Sequence, residues 1–245
     1  MTSGLGTNDR RRSAVVFGAR NLGRAVIELL VADGWVVAGV ARSEQTLAGI
    51  TATGALAVKA DVTDQASVRG VLEQAGAAHG GVDLVVNAAS AYGGDRSGPF
   101  GGGPISDAPP GAFDSWAVAP ARSAFAFLSA SGAFLLAQGT PATVIQVTGG
   151  SSRRAAAGRG LWAAGAFGVR AITQATALEL REHGIHVALL IVDAGIQPLE
   201  DGQPPQASTA GPRDLAPAVL FLANQGARSA THELQLTPLA ERWVP

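Results

Sequence analysis

The sequence contains no cysteine, and tyrosine occurs once, at Tyr92. The absence of cysteine excludes disulfides, thiol nucleophiles and thiolate metal ligands, and it fits the reducing environment of the cytoplasm, where we expect the protein to act. Three of the four histidines, at positions 79, 183 and 186, lie at element ends with no carboxylate or histidine at ligand spacing, so the sequence predicts no metal site.

Charge is also scarce, since Asp, Glu, Lys and Arg make up 15% of the chain and the net charge is −1. Such a balance gives no electrostatic basis for binding nucleic acid or an anionic membrane. The apolar run 121–137 contains an arginine and three serines, which favours a buried helix over a membrane span. Residues 1–12 have no apolar core, so we expect a flexible polar arm and no signal peptide.

What is abundant is apolar sequence, at 47% of the chain, arranged as short β-branched runs that alternate with helical periods. The runs SAVVF, WVVAGVAR, ALAVKADV and VDLVVNAAS predict the first four strands, and TVIQVTG and HVALLIV predict two more. This alternation is typical of an α/β protein of the Rossmann type. We predict a doubly wound parallel sheet in a three-layer α/β/α arrangement, as a single domain over residues 13–245.

The turn after the first strand carries a glycine pattern that indicates phosphate binding. Its spacing follows G-x-G-x-x-G, with arginine at the middle position, between a strand and a helix whose amino-terminal amides can face an anion. The predicted contact residues are Gly18, Arg20, Asn21, Leu22 and Gly23. An ordinary turn that binds nothing remains the alternative.

Arg42 ends the second strand, where an acidic residue would bind the ribose 2′-hydroxyl of NAD. Because a guanidinium pairs well with a 2′-phosphate, the sequence favours NADP(H) over NAD(H). A solvated surface arginine is the alternative interpretation, and the changed glycine turn could weaken or abolish dinucleotide binding altogether.

Taken together, the motifs resemble those of the short-chain dehydrogenase/reductase family over roughly residues 13–238. They include ADVTD, VVNAAS, VIQVTGG, GVRAITQATALELREHGIHV and RDLAPAVLFLA. The resemblance implies that Asp61 and Val62 line an adenine site, and that Asn87 and Ala88 support the fourth strand and the ribose. It also implies a small-molecule ligand and a homodimer or homotetramer formed by the apolar helices.

The catalytic positions of that family are all changed. Its tyrosine and lysine correspond to Trp162 and Ala166, its serine to Gly149 and its asparagine to Pro120. An indole hydrogen-bonds but transfers no proton near neutral pH, and alanine removes the cation that lowers the tyrosine pKa. Trp162 could equally be plain hydrophobic filling.

Three functions therefore remain open. The first is non-redox chemistry, such as elimination, cyclisation or isomerisation, with Asp193, Tyr92 and Ser151 as catalytic candidates. The second is a non-catalytic binding or partner subunit, and the third is NADPH-dependent reduction through substitute groups. There are structural alternatives, since Asp193 could only cap a turn, Tyr92 could only pack, and the nearby Arg153 and Arg154 could be solvated.

Overall fold

A computed structural model describes residues 10–90, 98–199, 204 and 206–241. The strands of its main sheet are β1 Ser13–Phe17, β2 Val36–Ala41, β3 Leu56–Lys59, β4 Leu84–Asn87, β5 Ala142–Gly149, β6 Ile185–Val192 and β9 Glu233–Leu236. All of them run parallel, in the order β3-β2-β1-β4-β5-β6-β9. Two short strands, β7 Gly195–Ile196 and β8 Thr209–Ala210, pair with each other outside this sheet. The predicted doubly wound fold is confirmed.

The helices follow the strands in the alternation that the sequence indicated. They are α1 Leu22–Ala32, α2 Glu44–Thr51, α3 Gln65–His79, α4 Pro110–Phe113, α5 Ala119–Gln138, α6 Gly160–Leu180 and α7 Pro212–Ala223. A π-helical turn, Asp114–Val118, joins α4 to α5, and a 3₁₀ turn, Gly150–Ser152, follows β5. Neither α2 nor β9 was predicted from the sequence.

Both faces of the sheet are covered, and β1 shows how the sequence achieves this. Ala14 and Val16 belong to the apolar cluster under α1 and α7, whereas Val15 and Phe17 belong to the cluster under α3, α5 and α6. Because successive side chains in a strand point to opposite faces, a continuous apolar run is what a strand buried on both faces requires.

The stretch Pro110–Gln138 is, among the described residues, the one helical segment apolar and long enough to cross a membrane by composition. In the fold it packs against α3 and α6, and 56% of its most apolar window is buried. Pro120 lies at the amino-terminal end of α5, just after the π-helical turn. The backbone is helical without a break from Pro110 to Gln138, and the π-helical turn before Pro120 is the kind of local adjustment that accommodates a proline within a helix.

Candidate functional site

Four neighbouring strands of the sheet place the candidate residues at one edge. β1, β4, β5 and β6 lie side by side, and their carboxyl ends are followed by the segments that begin at Gly18, Ala88, Gly150 and Asp193. In open parallel sheets, ligands bind outside these carboxyl ends. The topology therefore brings the predicted nucleotide-binding residues and Asp193 to the same side of the molecule.

The turn after β1 depends on two glycines. Gly18 has φ +80°, and a Cβ added there would overlap the backbone of Ala89 after β4. A Cβ on Gly23 would lie 2.5 Å from the carbonyl oxygen of Gly18. The backbone can make this close turn only without side chains at both positions, and such a turn leaves room for a phosphate to approach the chain.

The amino terminus of α1 opens toward this edge. Leu22 begins the helix, and no side chain caps it, since the Asn21 side chain instead accepts a hydrogen bond from the Leu199 N–H at 3.2 Å. The Arg20 side chain is exposed and does not fill the turn. First-turn amides that no described side chain caps, together with the positive end of the helix dipole, are suited to an anion, so the turn fits a pyrophosphate.

Arg42 and Asp61 meet at the ends of β2 and β3, with Arg42 Nη1 3.6 Å from Asp61 Oδ2. Burial raises the pKa of Asp61, but hydrogen bonds from Thr63 and the charge of Arg42 outweigh it, so the net pKa lies below its ordinary value. Val62, next in the chain, is buried in the core under α3. Asp61 is thus an anion beside the arginine that was predicted to recognise a 2′-phosphate.

Asn87 is buried at the end of β4 and ties that strand to its neighbours. Its Nδ2 donates to Gln146 Oε1 at 3.0 Å, and its Oδ1 accepts from the Ala89 N–H at 3.1 Å. The Ala88 N–H donates to the Phe17 carbonyl oxygen at 2.9 Å. These bonds fix the loop that closes against Gly18.

The position that resembles the family's tyrosine lies in an aromatic cluster formed by Phe100, Trp116 and Trp162. The ring centroids of Trp162 lie 5.5 Å from Phe100 and 6.1 Å from Trp116, in edge-to-face arrangements. Ala166, one turn further along α6, is 2% exposed. The indole is therefore packed among other rings, and no cation stands at 166 to lower the pKa of an acid.

Asp193 follows β6 and is almost completely buried. Its Oδ2 lies 2.6 Å from Arg154 Nη1 and accepts a hydrogen bond from Gln235 Nε2 at 3.3 Å. Its carboxylate fits directly against Gly150, where any Cβ would overlap it. The carboxylate thus adjoins the turn after Gly149, the residue at the position of the family's serine.

The other two catalytic candidates are less well defined. Ser151 is half-buried in the 3₁₀ turn after β5, next to Ser152, whose Oγ donates to the Gly149 carbonyl oxygen at 2.9 Å. Tyr92 lies outside the described residues. In the described part of the chain, no group of three or more metal-ligating side chains lies close together.

Gln235 is a site residue that the sequence reasoning missed, because it lies on β9. That strand is anchored by a bidentate ion pair in which Glu233 accepts from Arg170 at 2.7 and 2.9 Å, and Gln174 adds a third bond. Burial raises the pKa of Glu233, but these hydrogen bonds outweigh it, so the net pKa lies below its ordinary value. The sequence of the four residues of β9 does not predict the contact with Asp193.

Comparison with known proteins supports this arrangement. A family model described as short chain dehydrogenase matches residues 12–195, and no curated protein matches the sequence. A short-chain dehydrogenase from Rhodopseudomonas palustris is 23% identical with a TM-score of 0.72, covering 94% of this chain and 99% of its own.

Two further solved structures share the fold. A metagenomic short-chain oxidoreductase in complex with NADP is 24% identical with a TM-score of 0.70, covering 94% of this chain and 98% of its own. An alcohol dehydrogenase from the archaeon Thermococcus sibiricus, complexed with 5-hydroxy-NADP, is 21% identical with a TM-score of 0.76, covering 96% and 100%. At these identities the structures show the fold alone.

Proposed function

Because the chain belongs to the short-chain dehydrogenase family, we propose that it keeps an NADP(H) site but uses the adjoining residues at the carboxyl ends of the strands for proton transfer rather than carbonyl reduction. The reaction is an elimination, cyclisation or isomerisation of a small organic molecule in the cytoplasm. The observation that carries the proposal is the anchored carboxylate of Asp193, beside catalytic positions that hold no proton donor.

The residues of the nucleotide half fit the cofactor. Gly18 and Gly23 form the close turn, no described side chain caps the first turn of α1, and Arg42 is exposed for a 2′-phosphate. When bound, NADPH supplies a hydride donor. Two solved structures of the same fold are described as complexes with NADP or 5-hydroxy-NADP, which makes NADP(H) the cofactor to test first.

Carbonyl reduction is disfavoured because the carbonyl oxygen needs a proton as hydride reaches carbon. Trp162 cannot transfer one, and Ala166 offers no cation. Loss of a positioned acid typically costs about 10²–10⁴-fold in rate. A retained reductase activity would need another donor, and Tyr92 or Ser151 would be the first residues to test for it.

Asp193 has the features of a general base. A carboxylate that is shielded from water and held by fixed donors is more effective than one that moves in solvent, because it needs little reorganisation when it takes a proton. Its Oδ1 accepts no hydrogen bond from the described residues, which leaves one oxygen available.

The test combines a redox assay with a proton-transfer assay. NADPH consumption over a panel of aldehydes and ketones should be absent, and base-promoted elimination of 5-nitro-1,2-benzisoxazole should be accelerated. Asp193→Asn should remove that acceleration while circular dichroism stays unchanged. Turnover of NADPH, or an elimination rate that Asp193→Asn leaves intact, would refute the proposal and favour substitute reductase chemistry.

A second candidate, a partner subunit or homo-oligomer, is favoured by apolar side chains on the outer helices. Phe125 on α5 is 54% exposed and Phe167 on α6 is 43% exposed. We propose a homodimer or homotetramer that buries these residues. Phe125→Asp should lower the mass measured by light scattering, whereas Phe221→Asp on α7, equally exposed at 54%, should leave a dimer intact. A wild-type monomer would contradict the assembly.

A further inference from the structure

We propose that Gly150, Arg154 and Gln235 are positioning residues for Asp193. They keep Oδ2 fixed, so that Oδ1 faces the substrate as the proton acceptor. This inference rests on the proposed function and specifies how the base is built. The substrate class it implies is a small organic molecule with an acidic C–H or O–H group.

Two side chains hold Oδ2 in place. Arg154 Nη1 lies 2.6 Å from it, and Gln235 Nε2 lies 3.3 Å from it. The Asp193 main-chain N–H also donates to the Leu236 carbonyl oxygen at 2.9 Å. Side chain and backbone of Asp193 are therefore both tied to β9, which fixes the direction of the second carboxylate oxygen.

Among the described residues, the Gln235 side chain acts only as a hydrogen-bond donor. Its Nε2 bonds both Asp193 Oδ2 and Thr237 Oγ1, the latter at 3.1 Å, while its Oε1 is buried and accepts no hydrogen bond from the described residues. Turning the amide over would set Oε1 against the carboxylate oxygen, which is repulsive. A buried acceptor without a donor is destabilising, so the amide keeps the orientation that donates to Asp193 although this leaves Oε1 without a donor among the described residues.

Gly150 provides the space for Oδ1. A Cβ added to Gly150 would overlap Asp193 Oδ1 and the carboxyl carbon, so any other residue must displace the carboxylate. The requirement is local, because a Cβ added to Gly195, two residues beyond Asp193, would have its nearest neighbour, Thr209 Cγ2, at 3.9 Å. Glycine at 150 is thus required by the carboxylate and not by the backbone, whose φ at 150 is not in the left-handed region.

The proton-transfer step is balanced without any co-reactant. With 5-nitro-1,2-benzisoxazole as the probe, the C3–H bond breaks and its proton passes to Oδ1. The electron pair forms the nitrile as the ring N–O bond breaks, and the leaving oxygen becomes a phenolate. Oδ1 then releases its proton to water, which restores the carboxylate.

The decisive comparison is Gly150→Ala against Gly195→Ala, each adding one methyl group near Asp193. Because misplacement by about 1 Å can cost about 10²-fold, we expect Gly150→Ala to lower kcat for the probe by at least about 10-fold with KM within about twofold. Gly195→Ala should keep kcat within about twofold of wild type. Arg154→Gln should lower kcat, and Arg154→Lys should restore part of it.

The outcomes separate the two proposals. If elimination depends on Asp193 but Gly150→Ala and Gly195→Ala behave alike, the positioning inference is wrong and the base assignment stands. If wild-type elimination does not depend on Asp193, the proposed function fails and this inference fails with it. Should Gly150→Ala not fold, Gln235→Leu removes one donor without adding atoms at Gly150, and an unchanged kcat there would overturn the inference.

Discussion

Arg42→Ala is the sharpest test of the cofactor assignment. The Arg42 side chain is 72% exposed, and its only ion pair among the described residues is the 3.6 Å contact with Asp61. A hydrogen bond to a charged group contributes about 1.5–3 kcal/mol, and exposure places Arg42 at or below the lower limit. Loss of about 1–1.5 kcal/mol should weaken NADPH binding by about 5–13-fold.

The same geometry predicts the opposite effect for Asp61→Asn. Because the pKa of Asp61 is lowered, its carboxylate is charged at neutral pH and repels a 2′-phosphate held by Arg42. The neutral amide should therefore tighten NADPH binding. Isothermal titration calorimetry with NADPH and NADH measures both variants, and NADH affinity should change by less than about twofold, because NADH has no 2′-phosphate.

Lys59→Ala is the matched control for Arg42→Ala. Lys59 ends the neighbouring strand β3, is 63% exposed and pairs with Glu44 at 2.6 Å. Its loss removes one surface charge from the same edge without removing the proposed phosphate ligand. If Arg42→Ala weakens NADPH and NADH equally, or no more than Lys59→Ala does, then Arg42 does not recognise a 2′-phosphate and the preference for NADP(H) is wrong.

Three further predictions concern stability and the altered catalytic positions. Glu233→Gln should lower Tm at pH 7, and the difference should shrink as pH falls below 4.5, because a carboxyl with a depressed pKa loses its stabilising charge there. Gly18→Ala should destabilise far more than Gly34→Ala in thermal unfolding. Both have positive φ, but an added Cβ meets the backbone only at Gly18, and equal effects would exclude that contact. Trp162→Tyr with Ala166→Lys should restore no measurable NADPH turnover and should lower Tm, because the lysine enters a site that is 2% exposed.

The order of strands and helices could be predicted from the sequence because the parallel strands are continuous apolar runs. The sequence did not predict α2, β9 or the π-helical turn, and for the last two there is a physical reason. β9 is short and only partly buried along its length, and its pairing with β6 spans more than forty residues. The π-helical turn Asp114–Val118 carries no local signal beyond the proline that follows it at 120.

The site residues also include some that the sequence predicts and some that it does not. Gly18 and Gly23 were predicted because a tight turn before a helix leaves a local pattern. The partners of Asp193 could not be predicted, since Arg154 lies 39 residues away and reads equally well as a solvated charge. Only the fold shows that Arg154 and Gln235 approach the same oxygen.

The contacts of Asp193 favour a rebuilt site over a decayed one. A buried carboxylate without a partner costs several kcal/mol, so an aspartate that arose by drift at 193 would destabilise the chain. Here it has an ion pair with Arg154, a hydrogen bond from Gln235 and a glycine at 150 that leaves it space. Residues from two separate segments, the turn after β5 and strand β9, thus fit one carboxylate. A buried apolar residue at 193 would stabilise the sheet edge without needing such partners. A carboxylate with dedicated partners is therefore understandable if it acts on a substrate.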